Sequence, residues 1–120
     1  MEKKRRSEVK IEQVGDGIYR KIFYLKNLLV AIYDYTKGPM DQPTETHSHE
    51  YEQITYVAKG QLFVTIGGRR RHLKKGDVFY VHSNIPHSIQ TLSSNVRLVE
   101  AYTPIPEEFN IRRPEPQGNE

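Results

Sequence analysis

Residues 52–82 read EQITYVAKGQLFVTIGGRRRHLKKGDVFYVH, and this stretch decides the fold class. Aromatic and β-branched residues recur in it with a period of two, cut by Lys59-Gly60, Gly67-Gly68 and Lys75-Gly76-Asp77. A period of two sends successive side chains to opposite faces of an extended chain, and Gly, Asn and Asp supply the tight turns between such runs. The pattern predicts strands at 52–58, 61–66, 70–74 and 78–82. Working outward, the same pattern predicts 18–26 and 28–36 before this stretch and 87–91 and 96–103 after it. No segment of ten or more residues carries a helical period. Eight short strands with frequent turns predict an all-β sandwich, barrel or jelly roll, in which closure removes exposed edges.

A chain of 120 residues fits one domain with a real core. It has no Cys, which excludes disulfides, thiolate zinc sites and thiol nucleophiles, so any metal must be held by His, carboxylate, amide or water. The first ten residues, MEKKRRSEVK, carry charge where a signal peptide needs an apolar stretch, and no apolar run is long enough to span a membrane. A cytoplasmic protein without a membrane partner is the expectation. Those ten residues hold five basic and two acidic side chains, a net +3 that equals the formal charge of the whole chain, so the pI near 9.1 reports an arm. The basic runs at 69–71 and 74–75 flank one hairpin turn, where charge keeps an edge soluble, and no base-stacking aromatic motif is interleaved; no nucleic-acid partner is expected. The expected organisation is a basic arm and first edge segment at 1–17, a barrel at 18–109 and an extended polar tail at 110–120. Residues 37–46, with Gly38, Pro39 and Pro43, read as a loop feeding a site.

Histidine is the informative residue. Side chains two or four apart on one strand share a face, so His47, His49 and Gln53 would point the same way if a strand runs through them, leaving Ser48, Glu50 and Glu52 on the other side. His-x-His on a strand can offer two imidazoles to one ion at about 2.0–2.1 Å, with Gln53 closing one side. One strand cannot wrap a cation, so a further ligand must come from elsewhere. His87, after Asn84-Ile85-Pro86, is the natural supplier. His72 and His82 read as outside this set, His72 on the surface and His82 near a turn.

The pattern His47-x-His49-x3-Gln53 with Gly60, then Gly76-Asp77-x9-His87, resembles the two signature motifs of the cupin superfamily over roughly residues 38–91. The departures are Gln53 where the family usually has Glu, His82 for Pro, Asn84 for Gly and Thr91 for Asn. Asn tolerates positive φ almost as Gly does. The resemblance implies a double-stranded β-helix, or jelly-roll barrel, that binds one divalent metal (Zn, Ni, Mn, Fe or Co) through His47, His49, Gln53 and His87, takes a small-molecule substrate and forms a homodimer. Three neutral imidazoles and a neutral amide leave the full +2 on the ion, which favours polarisation of a carbonyl or hydroxyl over oxygen activation. This ligand set is similar to those of cupins that linearise unsaturated uronates, an isomerase cupin of bacilysin synthesis and a polyketide cyclase. The implied function is metal-assisted isomerisation, ring opening or cyclisation of a small oxygenated molecule such as a sugar acid. The alternatives are a non-catalytic binding or sensing cupin and a metal-dependent dioxygenase.

Uronate-linearising cupins carry Asp-x-Phe-x-Pro-x-Arg on the last strand, and this chain reads Glu100-Ala101-Tyr102-Thr103-Pro104-Ile105-Pro106. The resemblance implies Glu100 as acid/base and Tyr102 as substrate wall, with Pro106 where a carboxylate-binding Arg is expected. The residues themselves support Glu100 conditionally: if Leu98 and Tyr102 face a cavity, Glu100 lies among apolar groups that raise its pKa and suit it to proton transfer. Tyr33, Tyr35, Phe63 and Tyr80 read as core or rim packing.

Overall fold

The computed structural model describes residues 2–109. The strands are β1 (Glu12–Gly15), β2 (Ile18–Tyr24), β3 (Leu29–Tyr35), β4 (Glu52–Lys59), β5 (Gln61–Ile66), β6 (Arg69–Lys74), β7 (Val78–Val81), β8 (His87–Thr91) and β9 (Val96–Thr103). Every expected strand forms, each within one or two residues of the bounds the periodicity suggested. The described residues add only short 3₁₀ turns at Arg6–Glu8 and Glu107–Phe109, and none of them forms a helix long and apolar enough to cross a membrane. The expected tail at 110–120 lies outside the described residues.

Two antiparallel sheets face each other, one in the order β1-β2-β3-β9-β4-β7 and the other in the order β6-β5-β8. The alternation in β4 and β9 decides what lies between them: Gln53, Thr55 and Val57 of β4 and Val96, Leu98, Glu100 and Tyr102 of β9 are buried. Leu62 and Val64 of the smaller sheet pack against Val57, Phe79, Val81, Val96 and Leu98. Each such side chain contributes roughly 1.5–3 kcal/mol on burial, so this cluster joins the sheets at one end of the barrel. Leu29, Ala31, Tyr102 and Ile105 form a second cluster toward the other end.

Gly60 turns the β4–β5 hairpin at φ +83°, with the Asn95 carbonyl oxygen occupying the space a Cβ would need. Asn84 takes φ +65°, as its place in the motif requires, and its N–H donates to the His49 carbonyl at 2.7 Å. Within the segment expected as an arm and first edge, Glu12–Gly15 pairs with β2 and forms one edge of the larger sheet.

Candidate metal centre and acid pocket

No continuous strand runs through His47, His49 and Gln53, so the condition for their shared face is not met by a strand. β4 begins at Glu52, and His47 makes a lone antiparallel bridge to His87, its N–H donating to the His87 carbonyl at 3.0 Å and its carbonyl accepting from the His87 N–H at 2.9 Å. The bridge sets one imidazole beside another, with ring centroids 4.3 Å apart, and the bend before β4 brings His49 to 4.7 Å from His87. The shared face expected from residue spacing is thus reached by a bridge and a bend. One nitrogen from each of His47, His49 and His87 lies within 4.8 Å of the others, a group that could hold a metal ion.

The tautomers suit that role. His49 Nδ1 donates to the Tyr51 carbonyl at 2.9 Å, His87 Nδ1 to the Ile85 carbonyl at 2.9 Å, and His47 Nδ1 more loosely to the Glu45 carbonyl at 3.4 Å. A carbonyl oxygen only accepts, so each Nδ1 carries the proton and each neutral ring offers the lone pair of Nε2. His49 Nε2 then faces Gln53 Oε1 at 3.2 Å. Two lone pairs at that distance repel unless a proton or a cation sits beside both, and the donor set therefore fits a divalent ion. Burial holds the His87 pKa below its ordinary value, and neighbouring His47 and His49 add to the effect. A neutral imidazole is the form a metal needs.

Opposite this group, β9 sends in Glu100 and Tyr102. Leu98, Glu100 and Tyr102 all face inward, so the condition under which Glu100 would be desolvated is met. Burial pushes its carboxyl up to about 7, while hydrogen bonds from Tyr102 and Thr55 restrain the rise. The Tyr102 hydroxyl donates to Glu100 Oε1, and burial followed by the Glu100 charge raises the tyrosine's own pKa. A pocket of about 220 Å³ opens between the two groups, lined among others by His47, His49, Gln53, His87, Glu100 and Tyr102.

Sequence reasoning missed several members. Tyr51 stacks on His49 with centroids 3.7 Å apart and planes 5° from parallel, and its hydroxyl donates to Glu108 Oε2 at 2.8 Å. Thr44, from the loop at 37–46, and Ser88 also line the cavity. Tyr51 and Thr55 share the odd numbering of His47, His49 and Gln53, so the same parity could have found them; Glu108 had no signal. Tyr33 and Tyr35 line the pocket, whereas Phe63 lies under the Arg70 guanidinium at 4.1 Å and Tyr80 is exposed. Glu50, Glu52, His72 and His82 are exposed, and Pro106 is buried.

A two-sheet β-barrel with three imidazoles clustered at one end, His87 buried and His47 exposed, has the architecture of a cupin. Residues 33–102 match the cupin domain family Cupin_2, and the chain belongs to that family. It is 35% identical over 95 residues to the pectin degradation protein KdgF of Dickeya dadantii, covering 78% of this chain and 84% of that protein. The solved structure of KdgF from Halomonas sp. superposes with a TM-score of 0.77 at 25% identity, over 88% of this chain and 94% of that one. A third relative is the HTH-type transcriptional regulator PuuR of Escherichia coli, 31% identical over 98 residues; these span 78% of this chain but only about half (52%) of the regulator.

Proposed function

We propose that the chain is a metal-dependent cupin that isomerises, ring-opens or cyclises a small oxygenated molecule, with unsaturated sugar acids as the first candidates. His47, His49, His87 and Gln53 hold one divalent cation in this reading, and Glu100 moves the proton. The observation that carries it is the convergence, in one pocket, of three lone-pair imidazole nitrogens with a buried carboxyl whose pKa is about 7. When bound, the ion supplies a Lewis acid for a substrate carbonyl or hydroxyl without any change of oxidation state. Burial, which pushes the Glu100 carboxyl up to about 7 in the metal-free chain, suits it to give or take a proton at Oε1 or Oε2. Tyr102 Oη holds that carboxyl in place and walls the substrate. The volume of about 220 Å³ suits a ligand smaller than those of drug-sized pockets, which run to roughly 300–1,000 Å³. The kinship with KdgF supports the choice of sugar acids, while Pro106 in place of Arg removes one expected carboxylate contact.

Incubating the chain with zinc, nickel or manganese and a panel of unsaturated uronates is expected to give metal-dependent loss of the substrate's conjugated absorbance without oxygen. Absence of turnover on every sugar acid, with tight and saturable binding of one of them, would instead favour the sensing reading that the kinship with a transcriptional regulator supports. Oxygen consumption with iron would favour a dioxygenase.

A homodimer completes the reading, supported by the outer face of the larger sheet. Two rows cross it in register: Tyr80, Ile54, Ala101, Val30 and Phe23 in one, and Val78, Tyr56, Val99, Ile32 and Lys21 in the other. Tyr80, Ile54, Tyr56 and Val78 are 60%, 50%, 44% and 41% exposed. An exposed apolar patch of this kind can be covered by the same patch of a second copy about a two-fold axis. Light scattering is expected to give twice the 14.0 kDa chain mass, and Ile54→Lys with Tyr80→Glu should halve it; a parent that is monomeric at high concentration would remove the dimer.

A further inference from the structure

Thr55 joins the two halves of the pocket. It is fully buried on β4, two residues beyond Gln53 and directly opposite Glu100 in the β4–β9 register. Gln53 Nε2 donates to Thr55 Oγ1 at 2.9 Å, and the Thr55 hydroxyl lies close enough to the Glu100 carboxyl to hold its pKa down. A threonine hydroxyl has one proton to give. With the Gln53 amide donating into its lone pair, that proton is left free to point toward Glu100 on the paired strand.

The arrangement bears on which end of the Gln53 amide faces the histidines. The oxygen and NH₂ ends of an amide are nearly the same size, so Gln53 can satisfy its surroundings in two ways. With NH₂ turned toward His49, it would donate to the Nε2 lone pair, a good hydrogen bond that excludes a cation. With Oε1 turned toward His49, as found, the lone pairs of both groups remain available. The flipped amide would set its oxygen against Thr55 Oγ1 and would be satisfied only by turning the single Thr55 proton away from Glu100.

We propose that Thr55 is a positioning residue for the cation site: its hydroxyl holds the Gln53 amide with Oε1 toward His49 and so makes Gln53 a metal ligand. The inference rests on the reading of His47, His49, Gln53 and His87 as the ligand set. Loss of such an outer partner weakens metal binding by roughly 10–100-fold in sites of known chemistry.

The test is competition of the full chain with a chromogenic chelator for Co(II) and Zn(II), across the parent, Thr55→Ser, Thr55→Val, Thr55→Ala and His49→Ala, with melting temperatures measured metal-free. Affinity is expected to follow the hydroxyl: Ser within about threefold of the parent, Val and Ala roughly 10–100-fold weaker. Valine keeps the shape of threonine and alanine does not, so a common loss in both separates the hydroxyl from packing. Parent-like affinity in Val and Ala, or a Ser variant as weak as Val, would overturn the role of Thr55 while leaving the metal reading intact. A parent without His49-dependent uptake of either ion would overturn both.

Discussion

Replacing Glu100 by glutamine will cut turnover by roughly 10²–10⁴-fold while leaving metal uptake close to that of the parent, because a positioned proton-transfer group contributes about that much and Glu100 is not among the proposed ligands. The same substitution should raise stability above neutral pH. Burial lifts the Glu100 carboxyl from 4.5 to about 7, so the native state favours the protonated form. The folded metal-free protein therefore binds more protons than the unfolded chain between those values, and stability is full below about pH 4.5 and falls as pH rises through 7. A glutamine has no charge to desolvate and its carbonyl still accepts from Tyr102. Denaturant unfolding of the metal-free proteins at pH 8 should find the variant more stable, by up to about 3 kcal/mol, with the gap closing toward pH 5. Full turnover by the glutamine variant would remove Glu100 as the acid/base, and an unchanged pH profile of stability would show that the carboxyl is not desolvated.

The second large effect belongs to His49. Its alanine variant loses one of three imidazole donors and the ring on which Tyr51 stacks. Metal affinity is expected to fall about 100-fold or more, since even outer partners of a ligand are worth 10–100-fold. Elemental analysis after dialysis should then find the parent loaded and His49→Ala empty, with His72→Ala and His82→Ala, both exposed and away from the pocket, loaded like the parent. Because an ion that binds only the native state stabilises it by mass action, adding metal should raise the melting temperature of the parent and not that of His49→Ala. Equal metal content in the two would take His49 out of the site.

The legible part of the fold was its alternation. A period of two with β-branched and aromatic residues marks 52–66 and 96–103 as strands, and β4, β5 and β9 formed where the pattern put them. The parity of β9 could not be read, because Leu98 and Tyr102 on one face and Val99 and Ala101 on the other are comparably apolar. Only the second sheet, covering one side alone, resolves it. The site was legible as residue types and spacing, but its backbone was not: the bridge between His47 and His87 joins residues forty apart, a tertiary pairing that no local period encodes. Tyr51 and Thr55 were hidden for a different reason. Their side chains act on the candidate ligands Gln53 and His49, and a search for ligand types passes over a phenol and a hydroxyl. Glu108 reaches Tyr51 from beyond the last strand, and nothing local marks it as a neighbour.

Diffraction at the absorption edge of an added metal, zinc or nickel, tests the central claim most directly. One anomalous peak per chain is expected, with His47, His49 and His87 nitrogens about 2.0–2.1 Å away, the Gln53 oxygen beside them and no carboxylate in the coordination shell. A peak held by Glu50, Glu52 or Glu108 in place of Gln53, or no peak between the three imidazoles at saturating metal, would contradict it.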